Sequence, residues 1–288
     1  MTLKHQQAAA LRQALLQQVV TAVNAVNVTN QQYAAAKLFP PDINPQPILY
    51  FGDPLTAEFA TFGANPSADE LTWSRWPNAK MTVQELDIQS VNYFKNPDPD
   101  VDPNPNDWFD GYEEFPIGSS PKALNLLGHS YRTDTVHLDF SPRATVARST
   151  MGRRLKAKKI TRAEYDTFVQ RYREMEAADL PWFLSALALC QNVKAAIMAG
   201  SVGNDPREDY LDTLLQTHLP TLYSLKLRPC IQPKKKYGAT VLYDLTGPGL
   251  NIPVFFVSAS PSYTKGGKGI ILAKDVQRNL CILKRAGF

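Results

Sequence analysis

The stretch Glu58-Phe59-Ala60-Thr61-Phe62-Gly63-Ala64-Asn65-Pro66-Ser67 decides the reading of this chain. Residues 58–62 are mostly apolar, short and bounded by turn formers, so they read as a buried strand. Residues 63–67 break the pattern with small and turn-forming side chains. The design recurs three times. Residues 135–140 (T-V-H-L-D-F) run into Ser141-Pro142-Arg143, residues 194–198 into Ala199-Gly200-Ser201, and residues 253–257 (P-V-F-F-V) into Ser258-Ala259-Ser260-Pro261-Ser262.

Helical patterns separate these strands. The sequence predicts helices over about 82–94, from the capping box Thr161-x-x-Glu164 to about 178, over 181–191, over 211–215 and over about 272–284. Apolar strands alternating with helices argue for an α/β fold whose parallel sheet is covered on both faces. Residues 48–51 read as a further short strand, and 224–227 with 240–243 as an antiparallel pair around Lys234-Lys235-Lys236. A helix with one buried face fills about 3–26. Residues 96–107 (N-P-D-P-D-V-D-P-N-P-N-D) tolerate no regular element and read as a solvent loop, either an insertion or a lid. With no repeat and no dividing linker, residues 1–288 are expected to form a single domain.

The chain has 288 residues, 44% of them hydrophobic, which supports a sizeable core and excludes a disordered chain. Basic side chains number 31 and acidic ones 27, a net charge of +4 that permits an anionic partner without requiring one. Cys190, Cys230 and Cys281 lie far apart with no C-x-x-C pair, and are expected to be reduced thiols in a cytoplasmic protein. No apolar run approaches the roughly 20 residues of a membrane span. Arg12, Gln13, Gln17 and Gln18 interrupt the alanine-rich start, unlike a signal peptide. His5, His129, His137 and His218 are scattered, so no metal is expected.

Ligands of an open parallel sheet bind beyond the carboxyl ends of its strands. Small residues there let a ligand approach the backbone, serine hydroxyls and free amides hold phosphate, and Asn65 and Asp139 can bond a base or position water. The combination suits a nucleotide or a nucleic acid. Structural readings stand beside each of these. Asn65 can cap a following helix, and Asp139 can pair with Arg143 or Arg148. His137 reads as a core histidine, although strand alternation puts it on the same sheet face as Asp139. The basic residues 148–159 form either a solvated helix edge or a track for phosphates, and Tyr93-Phe94 either core or a stacking platform.

The strand ending in G-A-N-P-S resembles the first motif of the uracil-DNA glycosylase superfamily, whose mismatch-specific and single-strand-selective branches carry G-x-N-P. S-A-S-P-S-Y at 258–263 resembles its second motif, usually H-P-S-P-x-S or N-P-S-G-x-S. V-H-L-D-F-S-P-R resembles the strand whose terminal asparagine recognises uracil, and A-I-M-A-G-S a strand ending in a phosphate-contacting G-S. The resemblance spans about residues 48–288 and implies a three-layer α/β/α sandwich around a four-stranded, mainly parallel sheet. It also implies hydrolysis of the bond joining a flipped-out base to deoxyribose, without metal or cofactor. Asn65 falls at the water-positioning place, with Gly63, Ala64 and Phe140 lining the base. Ser67, Arg143, Ser201, Ser260, Ser262 and Lys265 would contact DNA, and Tyr263 would fill the gap left by the base.

Two positions depart from the family. Ser258 stands where the best-known members have histidine, so the donor to the departing base is smaller and neutral. Asp139 stands where uracil-specific members use asparagine. A carboxylate only accepts, which matches the amino group of cytosine and opposes the O4 acceptor of uracil, at about 1–3 kcal/mol for the mismatch. A host cannot survive excision of ordinary cytosine. The expectation is therefore a monofunctional DNA glycosylase acting on a modified cytosine, 5-hydroxymethyl or glucosylated, in phage DNA, as some bacterial defence proteins of the superfamily do. Phe94, Trp76 and Trp108 are the candidates to stack on that base. The rival readings are a uracil or mismatch repair glycosylase and a catalytically silent nucleic-acid binder. Neither a membrane nor an obligate protein partner is expected.

Overall fold

The computed structural model describes residues 3–25, 47–66, 81–95, 109–113, 121–143, 145–146, 148–199, 210–228, 240–257 and 270–288. The predicted loop at 96–107 and the Lys234-Lys235-Lys236 turn lie outside them.

Strand β1 (Phe59–Gly63) forms the centre of a six-stranded sheet with β2 (Thr135–Asp139) and β3 (Ala195–Ala199) as its parallel neighbours. Every residue of these three strands is buried, as a parallel strand covered on both faces must be. Next to β3 runs β6 (Leu250–Val257), also parallel to it, and the sheet order is β2-β1-β3-β6-β5-β4. The last two strands, β5 (Thr240–Gly247) and β4 (Ser224–Leu227), are antiparallel. The sheet therefore has six strands rather than the expected four. The pair read at 224–227 and 240–243 joins the sheet because β5 runs on to Gly247 and folds back on β6. Pro248 and Gly249 make that turn, Gly249 supplying a left-handed φ of +71°.

Alternation along β1 assigns the layers. Phe62 turns to one face and meets Phe183 of the long helix α6 (Arg162–Leu189), which also covers Phe140. Phe59 turns to the other, where Phe288, just beyond α8 (Ile270–Ala286), packs against it and against Phe255. Helices thus lie on both sides of the sheet, and a core of buried residues from Leu16 to Leu283 joins the layers. The remaining helices are α1 (Leu3–Ala25), α2 (Val83–Asn92), α3 (Phe109–Tyr112), α4 (Ala123–Leu127), α5 (Arg148–Lys156) and α7 (Tyr210–His218).

Two local expectations change. Helix α6 runs unbroken where a break was expected near 179–180. Pro181 removes one helical hydrogen bond, but Phe183, Leu184 and Leu187 are buried beyond it, and that packing keeps the helix going. The residues at 48–51 are buried but not a strand. Only Phe51 makes a ladder bridge, exchanging both backbone hydrogen bonds with His137 on the outer edge of β2. The Thr161 capping box is present, with a second at Thr82 on α2. Among the described residues, no helix is long and apolar enough to cross a membrane.

Candidate functional site

The chain passes from β1 to β2 on one side and then crosses back to β3 on the other, so its topological switch point lies at the carboxyl ends of β1 and β3. Gly63, Ala64 and Asn65 leave β1 at that end. Pairing with the chain beyond β2 continues past the strands: Phe140 N–H donates to Gly63 O, Ser141 N–H to Ala64 O and Thr145 N–H to Pro66 O, at 3.0, 3.0 and 3.2 Å. The two loops most suggestive in the sequence are thus one zipped unit.

Within it Gly63 is in register with Asp139. A Cβ on Gly63 would fall 2.3 Å from Asp139 Oδ1 and 2.9 Å from His137 Nε2, so only glycine fits beside those side chains. His137 and Asp139 do share a face, as alternation required, with Nε2 and Oδ1 3.2 Å apart. The imidazole's other nitrogen, Nδ1, lies 2.7 Å from Thr61 Oγ1, itself 2.7 Å from the Tyr131 hydroxyl. All four side chains are buried.

One assignment of donors and acceptors satisfies that chain. Burial pushes the Tyr131 phenol well above its usual pKa, so it stays protonated and donates to Thr61. Thr61 donates to His137 Nδ1, and Nε2–H donates to Asp139 Oδ1. Asp139 is left with Oδ2, which has no hydrogen-bond partner among the described residues. A second buried phenol, Tyr112, sits against the Phe62 carbonyl and receives a hydrogen bond from the Ala199 backbone. It bridges the ends of β1 and β3, its pKa raised by burial and then by the nearby charge of Asp139.

Asn65 is held from three directions. Its Nδ2 lies 2.8 Å from Pro66 O, 3.1 Å from Arg143 O and 2.8 Å from Thr145 Oγ1. Its Oδ1 accepts a short hydrogen bond from the Tyr172 hydroxyl of α6. Both amide hydrogens are engaged, and one lone pair of Oδ1 remains. These bonds take Asn65 to Thr145 and to α6.

The other candidates divide. Phe140 is placed on the opposite sheet face from Asp139, against Phe183, because adjacent strand residues alternate. Its backbone N–H, not its ring, belongs to the site. Arg143 is buried and pairs with Asp179 of α6, Nε to Oδ2 at 2.8 Å, rather than with Asp139. Ser141 donates to the same carboxylate at 2.7 Å. Phe94 is core, stacked on Tyr131 at 4.4 Å and edge-on to Phe109. Ser67, Trp76, Trp108, Ser201, Ser258, Ser260, Ser262, Tyr263 and Lys265 lie outside the described residues. Among the described residues, no group of three or more histidine, cysteine, aspartate or glutamate side chains is placed to hold a metal ion.

Sequence reasoning missed Thr61, Tyr112, Tyr131, Thr145, Tyr172 and Asp179. Thr61 had a signal, since a hydroxyl two residues before Gly63 on a buried strand must find a partner. Tyr172 had none, being 107 residues from Asn65 in sequence.

Comparison of the chain with protein-family models, with curated proteins and with solved structures finds no match.

Proposed function

We propose that this chain is a monofunctional DNA glycosylase of the uracil-DNA glycosylase type that excises a modified cytosine from phage DNA. The observation that carries the reading is Asp139. It stands at the end of β2 beside Gly63, with Oδ1 held by His137 and Oδ2 open among the described residues. An acceptor so placed takes a hydrogen bond from the N4 amino group of a flipped-out cytosine and opposes the O4 of uracil. With the imidazole engaged at Oδ1, the other carboxylate oxygen is the one left to meet a base.

Hydrolysis on this site breaks the bond from C1′ to the base nitrogen. The bonding electrons leave with the base, water adds to C1′, and the water's proton ends on the departing base. The free lone pair of Asn65 Oδ1 orients that water. An amide is a poor base, so departure of the base precedes attack and turnover is slow. The 5-substituent distinguishes phage from host DNA.

A second reading has its own support. With both amide hydrogens and one lone pair of Asn65 engaged, the residue also suits a purely structural clasp, and the chain a catalytically silent nucleic-acid binder. The test is to incubate the protein with DNAs containing cytosine, uracil, 5-hydroxymethylcytosine or its glucosylated form, then cleave abasic sites with alkali. Breaks confined to a modified cytosine are expected. Breaks at uracil identify a repair glycosylase, and DNA binding without breaks identifies the silent binder.

A further inference from the structure

Three helices end in the same way, with the chain's next turn closed through a residue in the left-handed region. After α4 the residue is Gly128 at φ +84°, with His129 N–H bonded to Leu124 O. After α8 it is Gly287 at φ +99°, with Phe288 N–H bonded to Leu283 O. After α5 it is Lys158 at φ +55°, with Lys158 N–H bonded to Leu155 O and Lys159 N–H to Arg154 O. Glycine suits this position because a Cβ there crowds the backbone. Among the described residues, Lys158 alone adopts a positive φ without being glycine. The cap geometry is ordinary and the side chain is not: a positive charge stands where glycine would fit with less strain.

The surrounding charge is as uneven. Residues 148–159 hold six of the chain's 31 basic side chains and none of its 27 acidic ones, so the rest of the chain is net acidic by two. Arg153, Arg154, Lys156, Lys158 and Lys159 are exposed, and none of the five has a carboxylate partner among the described residues. Several basic residues elsewhere on the surface are paired, Arg162 with Asp166, Arg171 with Glu174, Lys194 with Glu58 and Arg228 with Asp244. The exposed ones without an ion pair among the described residues, such as Lys95, Lys226 and Lys274, are not gathered in so dense a run. A helix dipole welcomes cations in the last turn. It does not explain Lys158 in a strained conformation, or the lack of any acid along the stretch.

We infer that the carboxyl end of α5, from Arg153 to Lys159, is a docking surface for the sugar-phosphate backbone of a nucleic acid. Five cations within about 10 Å of chain match the dense charge of a strand, which carries one phosphate per roughly 3.4 Å of axis. A lipid surface is the poorer fit. A helix that lies on a membrane needs an apolar face to insert, whereas Met151 and Leu155 of α5 are already packed against Phe168, Tyr172 and Met175 of α6. That packing also ties the surface to the site, since Tyr172 is the residue that bonds Asn65. The inference rests on the nucleic-acid reading of the strand ends but not on base excision.

The test is fluorescence anisotropy of the full chain with a labelled 20-base-pair duplex of unmodified sequence, titrated across salt concentrations. R153Q/R154Q/K156Q is expected to weaken binding at least tenfold near 100 mM salt and to flatten the slope of log affinity against log salt by about two to three. The control R162Q/R171Q/K194Q, which removes the same charge from paired positions, is expected to bind as the unaltered protein does. Lys158→Gly is expected to weaken binding while raising the melting temperature, a trade that a merely structural lysine would not show. If the triple variant loses its fold, Lys158→Gly combined with Lys159→Gln supplies the same readout from outside the helix. Unchanged affinity and slope in the folded triple variant overturn the proposal, as does binding of the unaltered protein to phosphatidylserine vesicles but not to DNA. Because the duplex contains no excisable base, a failure to cleave modified DNA counts against the glycosylase reading alone.

Discussion

Gly63 and Asp139 face each other across β1 and β2 with no room between them for a methyl group, 2.3 Å separating the place of a Cβ from Asp139 Oδ1. Gly63→Ala must therefore displace the carboxylate or the imidazole behind it. We expect a loss of about 1–3 kcal/mol in unfolding free energy and the loss of base excision, read by urea denaturation and by the alkali assay. An alanine variant with full activity would show that Asp139 does not act from the position seen.

Asp139→Asn restores a donor to the base edge. The preference is expected to move from cytosine types toward uracil by roughly one to two powers of ten, the equivalent of one mispaired hydrogen bond. Competition between cytosine-type and uracil substrates in one reaction measures it. An unchanged ratio means that Asp139 does not touch the base.

Tyr172→Phe removes the hydroxyl that fixes Asn65 Oδ1 and leaves the ring packed. Stability should fall by about 1 kcal/mol. Turnover should fall several-fold with DNA affinity unchanged, because a loosened amide still binds but holds water less well. Single-turnover excision beside an equilibrium binding curve separates the two.

Asp179 carries the buried charge partner of Arg143 and accepts from Ser141. Asp179→Ala strands a guanidinium in the interior and is expected to cost about 3–5 kcal/mol. The double variant Arg143→Met/Asp179→Ala is expected to lose less than Asp179→Ala alone. A thermodynamic cycle over the four proteins gives the coupling, and a coupling near zero would mean that the pair is not formed in solution.

Asp275 on α8 is buried, with Oδ2 unpartnered among the described residues, and desolvation raises its pKa against the opposing effect of Arg278. A raised carboxyl pKa stabilises the fold while the group is protonated. Its contribution is complete below the unfolded value of about 3.9 and is lost as pH rises through the folded value. In Asp275→Asn that decline should vanish from a plot of urea midpoint against pH between 4 and 7. A decline of the same size in the variant would assign it to other groups.

Much of this was legible in the sequence. Runs such as T-V-H-L-D-F are apolar, bounded and too short for helices, so β1, β2 and β3 and the start of the site could be placed by pattern alone. The common face of His137 and Asp139 followed from a period of two. Where the reading fell short, a tertiary contact outweighed a local rule. Pro181 suggests a break, but buried residues beyond it hold α6 together. Residues 48–51 have a strand's composition, yet only Phe51 finds ladder partners. The β5 to β6 hairpin was signalled by Gly247-Pro248-Gly249 and passed over. The bond from Tyr172 to Asn65 leaves no local trace, since nothing near either residue specifies the other.

The first helix of the chain is fastened by residues that come much later. Arg12 bonds both oxygens of Asp87, at 2.8 and 2.9 Å, and reaches Asp53, while the Tyr50 hydroxyl donates to Asp87 as well. Helix α1 also rests on α2 and on α6, which ends at Leu189. On a ribosome adding about 5–20 residues per second, α1 is finished on the order of ten seconds before the last of its partners exists. Leu16 and Val19 of α1 are fully buried in the finished protein. Helix α1 is thus complete as a segment well before the last surface that packs on it.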